Sequence, residues 1–133
     1  MALVDLSQLF LKMVKIMFIT SFPDESDLLG LFESEPMATS EVDDLHFAYQ
    51  TNDDNGLEII FSFCATSGWI QSVISLNGNE ISRYLSENVR EIKLQKDALG
   101  EYLYSEVITD EFITKIVIRV RPYISVSSSS LVR

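Results

Sequence analysis

The chain has 133 residues, of which 47% are hydrophobic and 23% are charged, and its formal net charge at pH 7 is -10. This length suits a single domain with one hydrophobic core over residues 1–133, and the composition excludes a disordered chain. The acidic balance argues against a surface built for nucleic acid or an anionic membrane, because both are negatively charged.

The negative charge is concentrated in the first part of the chain. Residues 1–56 contain 11 acids and 2 bases, whereas residues 57–133 contain 9 acids and 8 bases. Ten acids with no intervening Lys or Arg form one segment: Asp24, Glu25, Asp27, Glu33, Glu35, Glu41, Asp43, Asp44, Asp53 and Asp54. Such a field steers a basic partner towards the segment, but an acidic face kept for solubility has the same composition. Both interpretations stay open.

The apolar N-terminal segment predicts a helix that belongs to the fold. Over residues 5–20, apolar side chains recur at intervals of three and four, and Asp5 suits the N-cap. Lys12 and Lys15 interrupt the segment, which argues against a signal peptide and a membrane span. We expect its Met and Phe stripe to pack in the core, although such a stripe could also dock a partner.

A second, short helix is predicted over about 23–34. Ser21 and Asp24 have the spacing of a capping box, and Pro23 suits the first helical position. The apolar face of this helix would consist of Leu28, Leu31 and Phe32. After the helix we expect an acidic surface loop over 37–44.

From Leu45 onward the apolar residues alternate with a period of two, which predicts an antiparallel sheet. The hairpin at Asn77-Gly78 has the clearest turn signal, because both residues tolerate a positive φ. Residues 80–87 fit either a strand or one helical turn, and residues 127–130 read as a short polar tail. The predicted strands are 45–51, 57–64, 69–76, 89–95, 101–108, 113–121 and 123–127.

The alternation also indicates which strands are buried. In 113–121 one face is apolar and the other basic, so one face is core and one is solvated. Strand 57–64 is apolar on both faces, which predicts a central strand with the N-terminal helix as its cover. The expected fold is α+β: an antiparallel meander of about six or seven strands, over 45–127, with one or two helices from residues 1–36 packed on it.

The chain is poor in the residue types that catalysis requires. His46 is its one histidine and Cys64 its one cysteine, so no disulfide can form within the chain and a reducing cytoplasm fits best. A hairpin turn centred near Asp53-Asp54 would place Cys64 well past the region opposite His46, which disfavours a Cys-His pair. Zinc needs more such ligands, and no glycine-rich phosphate loop is present. We expect no enzyme activity, no metal and no cofactor.

Two further features have alternative interpretations. Lys115, Arg119 and Arg121 share a strand face and could contact nucleic acid, but the net charge favours ion pairs across the sheet. Trp69, at a strand start, could anchor an interface or fill a core position. The acids expected to form ion pairs with Lys115, Arg119 and Arg121 are Glu91, Glu101 and Glu106.

Four stretches together resemble one family. They are LEIIFSFCATSGWIQSVISLNG, EISRYLSENVREIKL, GEYLYSEVI and TKIVIRVRPYISV, over residues 57–126. Their layout is similar to small immunity proteins of bacterial polymorphic toxin systems, especially those of contact-dependent growth inhibition. The resemblance implies a cytoplasmic, non-catalytic protein that binds the C-terminal toxin domain delivered by neighbouring cells, often a nuclease with a basic surface.

The first hypothesis is therefore an immunity protein that uses the acidic residues listed above, with Trp69, to bind a basic toxin domain. The alternative is a small adaptor or self-assembling structural protein that uses a sheet edge or Trp69. A third hypothesis is an enzyme that uses His46 or Cys64. The oligomeric state stays open.

Overall fold

The structure is a computed structural model, and it describes residues 18–38 and 45–133. Within these residues there are one helix and eight strands. The helix, α1, spans Glu25–Phe32. The strands are β1 His46–Asn52, β2 Leu57–Cys64, β3 Trp69–Leu76, β4 Asn79–Ser86, β5 Ile92–Asp97, β6 Gly100–Ile108, β7 Phe112–Arg119 and β8 Ser125–Val132. They form two antiparallel sheets of four strands, ordered β1-β2-β3-β4 and β5-β6-β7-β8.

Helix α1 begins and ends at residues that satisfy its free backbone groups. The carboxylate of Asp24, the N-cap, accepts a hydrogen bond from the Asp27 amide at 2.8 Å. At the other end Glu33 adopts a left-handed φ of 55°, and its amide donates to the Leu29 carbonyl. The helix is therefore set by local chemistry at both ends.

The predicted extent of this helix is partly wrong. It starts at Glu25 rather than Pro23, because Asp24 is the N-cap and Ser21 forms a β-bridge with Glu91 instead of capping. It ends at Phe32, before the predicted end at residue 34. The predicted buried face is confirmed: Leu28, Leu31 and Phe32.

The predicted N-terminal helix over 5–20 lies mostly outside the described residues. Its last three residues are not helical. The amides of Phe18 and Ile19 both donate to the Ala65 carbonyl, at 2.9 and 2.8 Å, and the next amide donates to the Arg90 carbonyl at 3.0 Å. This short segment therefore joins the end of β2 to the residues that precede β5.

The prediction of one continuous meander is wrong, because the chain leaves the first sheet after β4. The ambiguous residues 80–87 mostly form this strand, which ends at Ser86. Asn88 then takes a positive φ of 62°, and the amide of the fully buried Val89 donates to the Gly68 carbonyl at 2.9 Å. Pairing resumes at Ile92 in a second sheet. Period-two alternation marks a strand but does not indicate which strand it pairs with.

The last strand is longer than predicted. Residues 127–130, predicted as a polar tail, lie inside β8. The strand begins at Ser125, two residues after the start of the predicted strand 123–127. Strand β8 pairs along its length with β7, from Arg119 opposite Ser125 to Phe112 opposite Val132. Its serines are largely exposed, so this strand depends on backbone pairing rather than on apolar alternation.

One buried cluster takes side chains from both sheets and from α1. Phe32 of the helix stacks on Tyr49 and Phe61, with ring centroids 5.2 and 5.9 Å apart. The second sheet contributes Ile116 and Ile118, as its predicted alternation requires. The two sheets and the helix therefore share a single core.

Strand β2 is buried on both faces towards its end, as predicted. Phe61 and Phe63 point to the shared core, while Ser62 and Cys64 are buried on the opposite face. The helix predicted to cover this opposite face falls on residues that the structure does not describe.

One carboxylate connects the β1–β2 turn to the second sheet. Asp53 accepts hydrogen bonds from the amides of Asn55 at 2.9 Å, Leu57 at 3.0 Å and Ile124 at 2.8 Å. Burial tends to raise the pKa of Asp53, but these three amides and the nearby Arg121 charge outweigh it, so the pKa is lowered. The Asp53 carboxylate is therefore part of the fold.

Arg121 makes the second connection at the same place. Its guanidinium donates to the Glu33 carboxylate at 3.1 Å, to the Thr51 hydroxyl at 2.9 Å and to the Asn52 carbonyl at 3.4 Å. The helix end, β1 and the residues after β7 meet around it. We call Glu33, Thr51, Asp53, Arg121 and Ile124 the polar seam.

Arg119 and Arg121 form ion pairs, but not with the expected acids, whereas Lys115 lies opposite the expected Glu106 in the β6–β7 pair. Arg119 pairs with Asp97, and its guanidinium lies 4.5 Å from the centroid of the Tyr102 ring. Arg121 pairs with Glu33 of the polar seam. The expected partners of these arginines were Glu91, Glu101 and Glu106. Arg119 and Arg121 are thus engaged within the chain, which argues against a nucleic-acid surface at this strand.

We expect Asp53→Asn to destabilise the protein by about 1–3 kcal/mol, since an amide accepts more weakly than a carboxylate and offers one acceptor oxygen instead of two. The lowered pKa means that this stabilisation is present above the carboxyl's ordinary pKa and is lost as pH falls through the folded-state pKa. Urea unfolding between pH 3 and 7 should therefore show a weaker acid dependence for the variant. Asp54→Asn, at the neighbouring exposed position, is the matched control and should behave like the wild type.

Candidate partner-binding surface

Residues 33–37 follow the outer edge of β1. The Met37 amide donates to the Ala48 carbonyl at 2.7 Å, and the Ser34 hydroxyl donates to the Gln50 carbonyl at 2.7 Å. This segment covers the edge that β1 would otherwise expose, and it places Glu35 beside the strand.

Seven of the ten candidate acids lie in the described residues, and most of them are on the side formed by α1, the edge of β1 and the β1–β2 turn. Glu33 and Asp53 belong to the polar seam. Asp54 is exposed in the turn. Asp27 differs, since it lines a groove with Ile92 and Lys93 of the second sheet. Three candidates, Glu41, Asp43 and Asp44, lie outside the described residues.

Three carboxylates on this side point to solvent. Asp24 and Glu25 stand at the start of α1, and Glu35 follows its end; all three are exposed. Burial raises the pKa of Tyr49 most, and the charges of Glu25 and Glu35 raise it further. Both carboxylates therefore lie near the Tyr49 side chain. Although Glu25 and Glu35 are ten residues apart in the sequence, the charges of both act on Tyr49.

Trp69 is not brought together with these acids. It lies half-buried at the start of β3, opposite Cys64, and its ring meets the His46 ring edge-on at 5.1 Å. Because side chains alternate along a strand, this row lies on the opposite face of the first sheet from Tyr49 and Phe63. Trp69 therefore does not extend the acidic side.

The expected separation of His46 and Cys64 is wrong, because the two residues lie opposite each other in the β1–β2 pair. The Asp53 amide donates to the Leu57 carbonyl at 2.9 Å, which centres the hairpin on Asn55 instead of near Asp53. A shift of this size in the turn moves every partner along the strand.

This juxtaposition does not create an open nucleophile. Cys64 is 2% exposed, and its Sγ lies 3.3 Å from the Thr66 hydroxyl. Burial tends to raise the pKa of Cys64, but hydrogen bonds from Thr66 and Ser67 outweigh it, so the pKa is lowered. A substrate would have to reach a buried sulfur. Across 18–38 and 45–133, no group of three or more His, Cys, Asp or Glu is placed to hold a metal ion.

A cleft of about 300 Å³ opens beside the start of α1. Its walls are mainly aromatic: the Phe22 ring centroid lies 6.0 Å from that of Phe47 and 5.3 Å from that of Phe63. Tyr49 and Glu25 complete its polar part. The cleft is lined by Phe22, Pro23, Glu25, Leu28, Pro36, Phe47, Tyr49 and Phe63.

Sequence reasoning did not find this cleft. The signal available was the spacing of Phe47 with Tyr49 and of Phe61 with Phe63, which puts each pair on one face of its strand. Phe22, more than twenty residues earlier in the chain, packs directly on Phe47 and Phe63. Only the tertiary fold brings these rings together.

No helix in the described part of the chain is long and apolar enough to cross a membrane. Neither a protein-family model nor a curated protein matches the chain.

A solved structure does match it. That structure is a contact-dependent growth inhibition toxin–immunity protein complex from Klebsiella pneumoniae 342, and the matching chain is 43% identical to this one. The match has a TM-score of 0.82 and covers 86% of this chain and 100% of the other. Identity at this level over most of both chains extends well beyond a shared fold, and it agrees with the resemblance carried by residues 57–126. The chain belongs to the family of contact-dependent growth inhibition immunity proteins.

Proposed function

We propose that this protein binds a cognate toxin domain and neutralises it, and that the toxin is a nuclease recognised through the acidic side of the molecule. The observation that carries the proposal is the 43% identical chain in a toxin–immunity protein complex. The acidic segment adds a physical reason for the choice of partner, since a nuclease that binds nucleic acid needs a cationic surface.

The acids support this proposal through their charge and their position. An inhibitor whose carboxylates face a cationic cleft is attracted to it over a distance of about a Debye length, and the association is accelerated. Asp24, Glu25, Glu35 and Asp54 are exposed on the side formed by α1 and β1. The undescribed Glu41, Asp43 and Asp44 stay in the proposed surface. Asp27, which lines a neighbouring groove, and Trp69, on the opposite face of the first sheet, stay as separate candidate contacts.

Two acids of the proposed surface hold distant parts of the fold together, and a third, Asp24, caps α1. Glu33 and Asp53 hold the polar seam together, so their carboxylates are occupied by Arg121 and by backbone amides. Replacing either of them would weaken the fold as well as the surface charge. They are therefore unsuitable for testing binding.

We further propose that the protein acts in the cytoplasm as one non-catalytic domain over 1–133, without nucleic acid, membrane or cofactor. The buried cluster shared by both sheets supports a single domain. Burial of Cys64 supports the absence of nucleophilic catalysis. The low proportion of bases supports the exclusion of nucleic acid.

Co-expression tests the proposed function directly. Cells that produce the toxin domain encoded beside this gene should survive when this protein is also produced, and the two proteins should co-purify. A catalytically inactive toxin variant provides the control for expression. Cell death despite soluble, folded inhibitor would show that the proposal is wrong.

The electrostatic part is tested by two variants that remove the same number of charges. We expect Asp24→Asn/Glu35→Gln/Asp54→Asn to slow association with the toxin domain by about tenfold at low salt and to flatten its salt dependence. Asn still caps a helix well, so α1 should be retained. Stopped-flow association kinetics measure both effects.

The matched control is Glu101→Gln/Asp110→Asn/Glu111→Gln, which removes three exposed charges from the second sheet. Its association rate should stay within about twofold of the wild type. Equal slowing by both triple variants would assign the effect to net charge and remove the acidic side from the interface.

A small self-assembling adaptor is the second candidate, and the free edge of β8 favours it. This edge strand carries no charged side chain, and its Val132 is 82% exposed. Uncharged edge strands can pair with a second chain. The edge strands β4 and β5 of the described sheets do carry charged side chains, among them Glu80 and Arg83 in β4 and Lys93 in β5.

Native mass separates the two candidates. The immunity proposal predicts a species of 15.1 kDa at micromolar concentration in the absence of toxin. A stable dimer that Ser128→Pro converts to monomer would favour the adaptor, because proline removes a backbone donor from β8. Sedimentation velocity gives the mass.

A further inference from the structure

The aromatic cleft contains a tyrosine hydroxyl that has no hydrogen-bond partner among the described residues. Tyr49 is 1% exposed and lines the cleft, yet its hydroxyl makes no hydrogen bond with residues 18–38 or 45–133. The hydroxyl oxygen is not fully enclosed, so water or an incoming donor can reach it from the cleft. The fold keeps this polar group among aromatic rings without using it.

The walls of the cleft suit a side chain with an aliphatic stem and a cationic end. The rings of Phe22, Phe47 and Phe63 pack on one another and line one side of the space. Aromatic faces attract a cation, and guanidinium groups stack on them. The methylene groups of a long basic side chain are apolar and would lie against Leu28 and Pro36.

The charge around the cleft has the matching sign. Glu25 lines it, and Glu35 lies close enough to Tyr49 to raise its pKa, after burial and Glu25. Neither carboxylate forms an ion pair with a described residue, and both are exposed. Between Asp24 and Asp54 the sequence has no Lys or Arg to neutralise them.

We propose that this cleft receives one arginine side chain of the toxin domain, with its stem against the rings of Phe22 and Phe47 and its guanidinium between Tyr49 and the carboxylates of Glu25 and Glu35. This inference rests on the proposed function and deepens it by naming an anchor point. Arginine has five donors in a planar fork, so it can donate to the Tyr49 oxygen and to a carboxylate together.

Other occupants explain fewer of these features. An apolar side chain would fill the aromatic walls but leave the Tyr49 hydroxyl unpaired and the two carboxylates unused. An anionic group would be repelled by Glu25 and Glu35. Only a cation with an apolar stem uses the walls, the hydroxyl and the charges together.

Affinity for the toxin domain tests the anchor. We expect Glu25→Gln/Glu35→Gln to raise the Kd by about tenfold or more, because charge-assisted hydrogen bonds are lost. Tyr49→Phe should raise it by about threefold to tenfold, since it removes one hydroxyl acceptor. The matched control, Glu101→Gln/Glu111→Gln, removes two exposed charges elsewhere and should stay within twofold.

A small probe tests the cleft without the toxin. n-Butylguanidinium has the stem and head of arginine, and n-butylurea is its neutral counterpart. In two-dimensional NMR, millimolar n-butylguanidinium should shift the amides of Phe47 and Tyr49 saturably, and n-butylurea should not. Glu25→Gln/Glu35→Gln should abolish the saturable shifts. Urea unfolding of each variant confirms that the fold is retained.

The outcomes separate this inference from the proposed function. If the wild type binds the toxin tightly and the cleft variants bind equally well, the anchor is wrong while the immunity proposal stands. If n-butylurea shifts the same amides as strongly as n-butylguanidinium, the occupant is apolar and the anchor is again wrong. If the wild type does not bind the toxin domain, both proposals are overturned.

Discussion

The whole molecule depends on how the junction between its two sheets is closed. Both sheets bury apolar side chains in one core, and this brings a turn, a helix end and a loop into contact where backbone amides need acceptors. Asp53 supplies them for Ile124 and for its own turn, and Arg121 joins Glu33 to Thr51. The charged side chains of Asp53 and Arg121 therefore satisfy polar groups at this junction that an apolar contact would leave unpaired.

That closure divides the acidic residues into two classes. The carboxylates of the polar seam, Glu33 and Asp53, form hydrogen bonds within the chain. Asp24, Glu25, Glu35 and Asp54 are exposed to solvent on the same side of the molecule. The fold therefore uses part of the negative charge for stability and leaves the rest available for a partner. Because the sheet edge at β1 is covered by residues 33–37, this side offers side chains rather than backbone groups for recognition.

The aromatic cleft shows how a binding feature can arise from core packing. Phe47 and Tyr49 point to the shared core, as β1 requires, but the chain entering α1 does not cover them fully. The opening that remains combines an apolar wall with the Tyr49 hydroxyl and two nearby carboxylates. In an interface, such pockets are where a single long side chain can contribute much of the binding energy.

The amino-acid sequence alone determined the local features: the buried face of α1, the turn at Asn77-Gly78, most strand positions and the concentration of acids, because caps, turns and periodicity act within a few residues. It also carried the resemblance to immunity proteins. Only the tertiary structure decided that the strands divide into two sheets, that His46 faces Cys64, and that Asp53 serves the fold. These depend on strand pairing and on contacts between distant residues, such as Asp53 with Ile124, which periodicity does not encode.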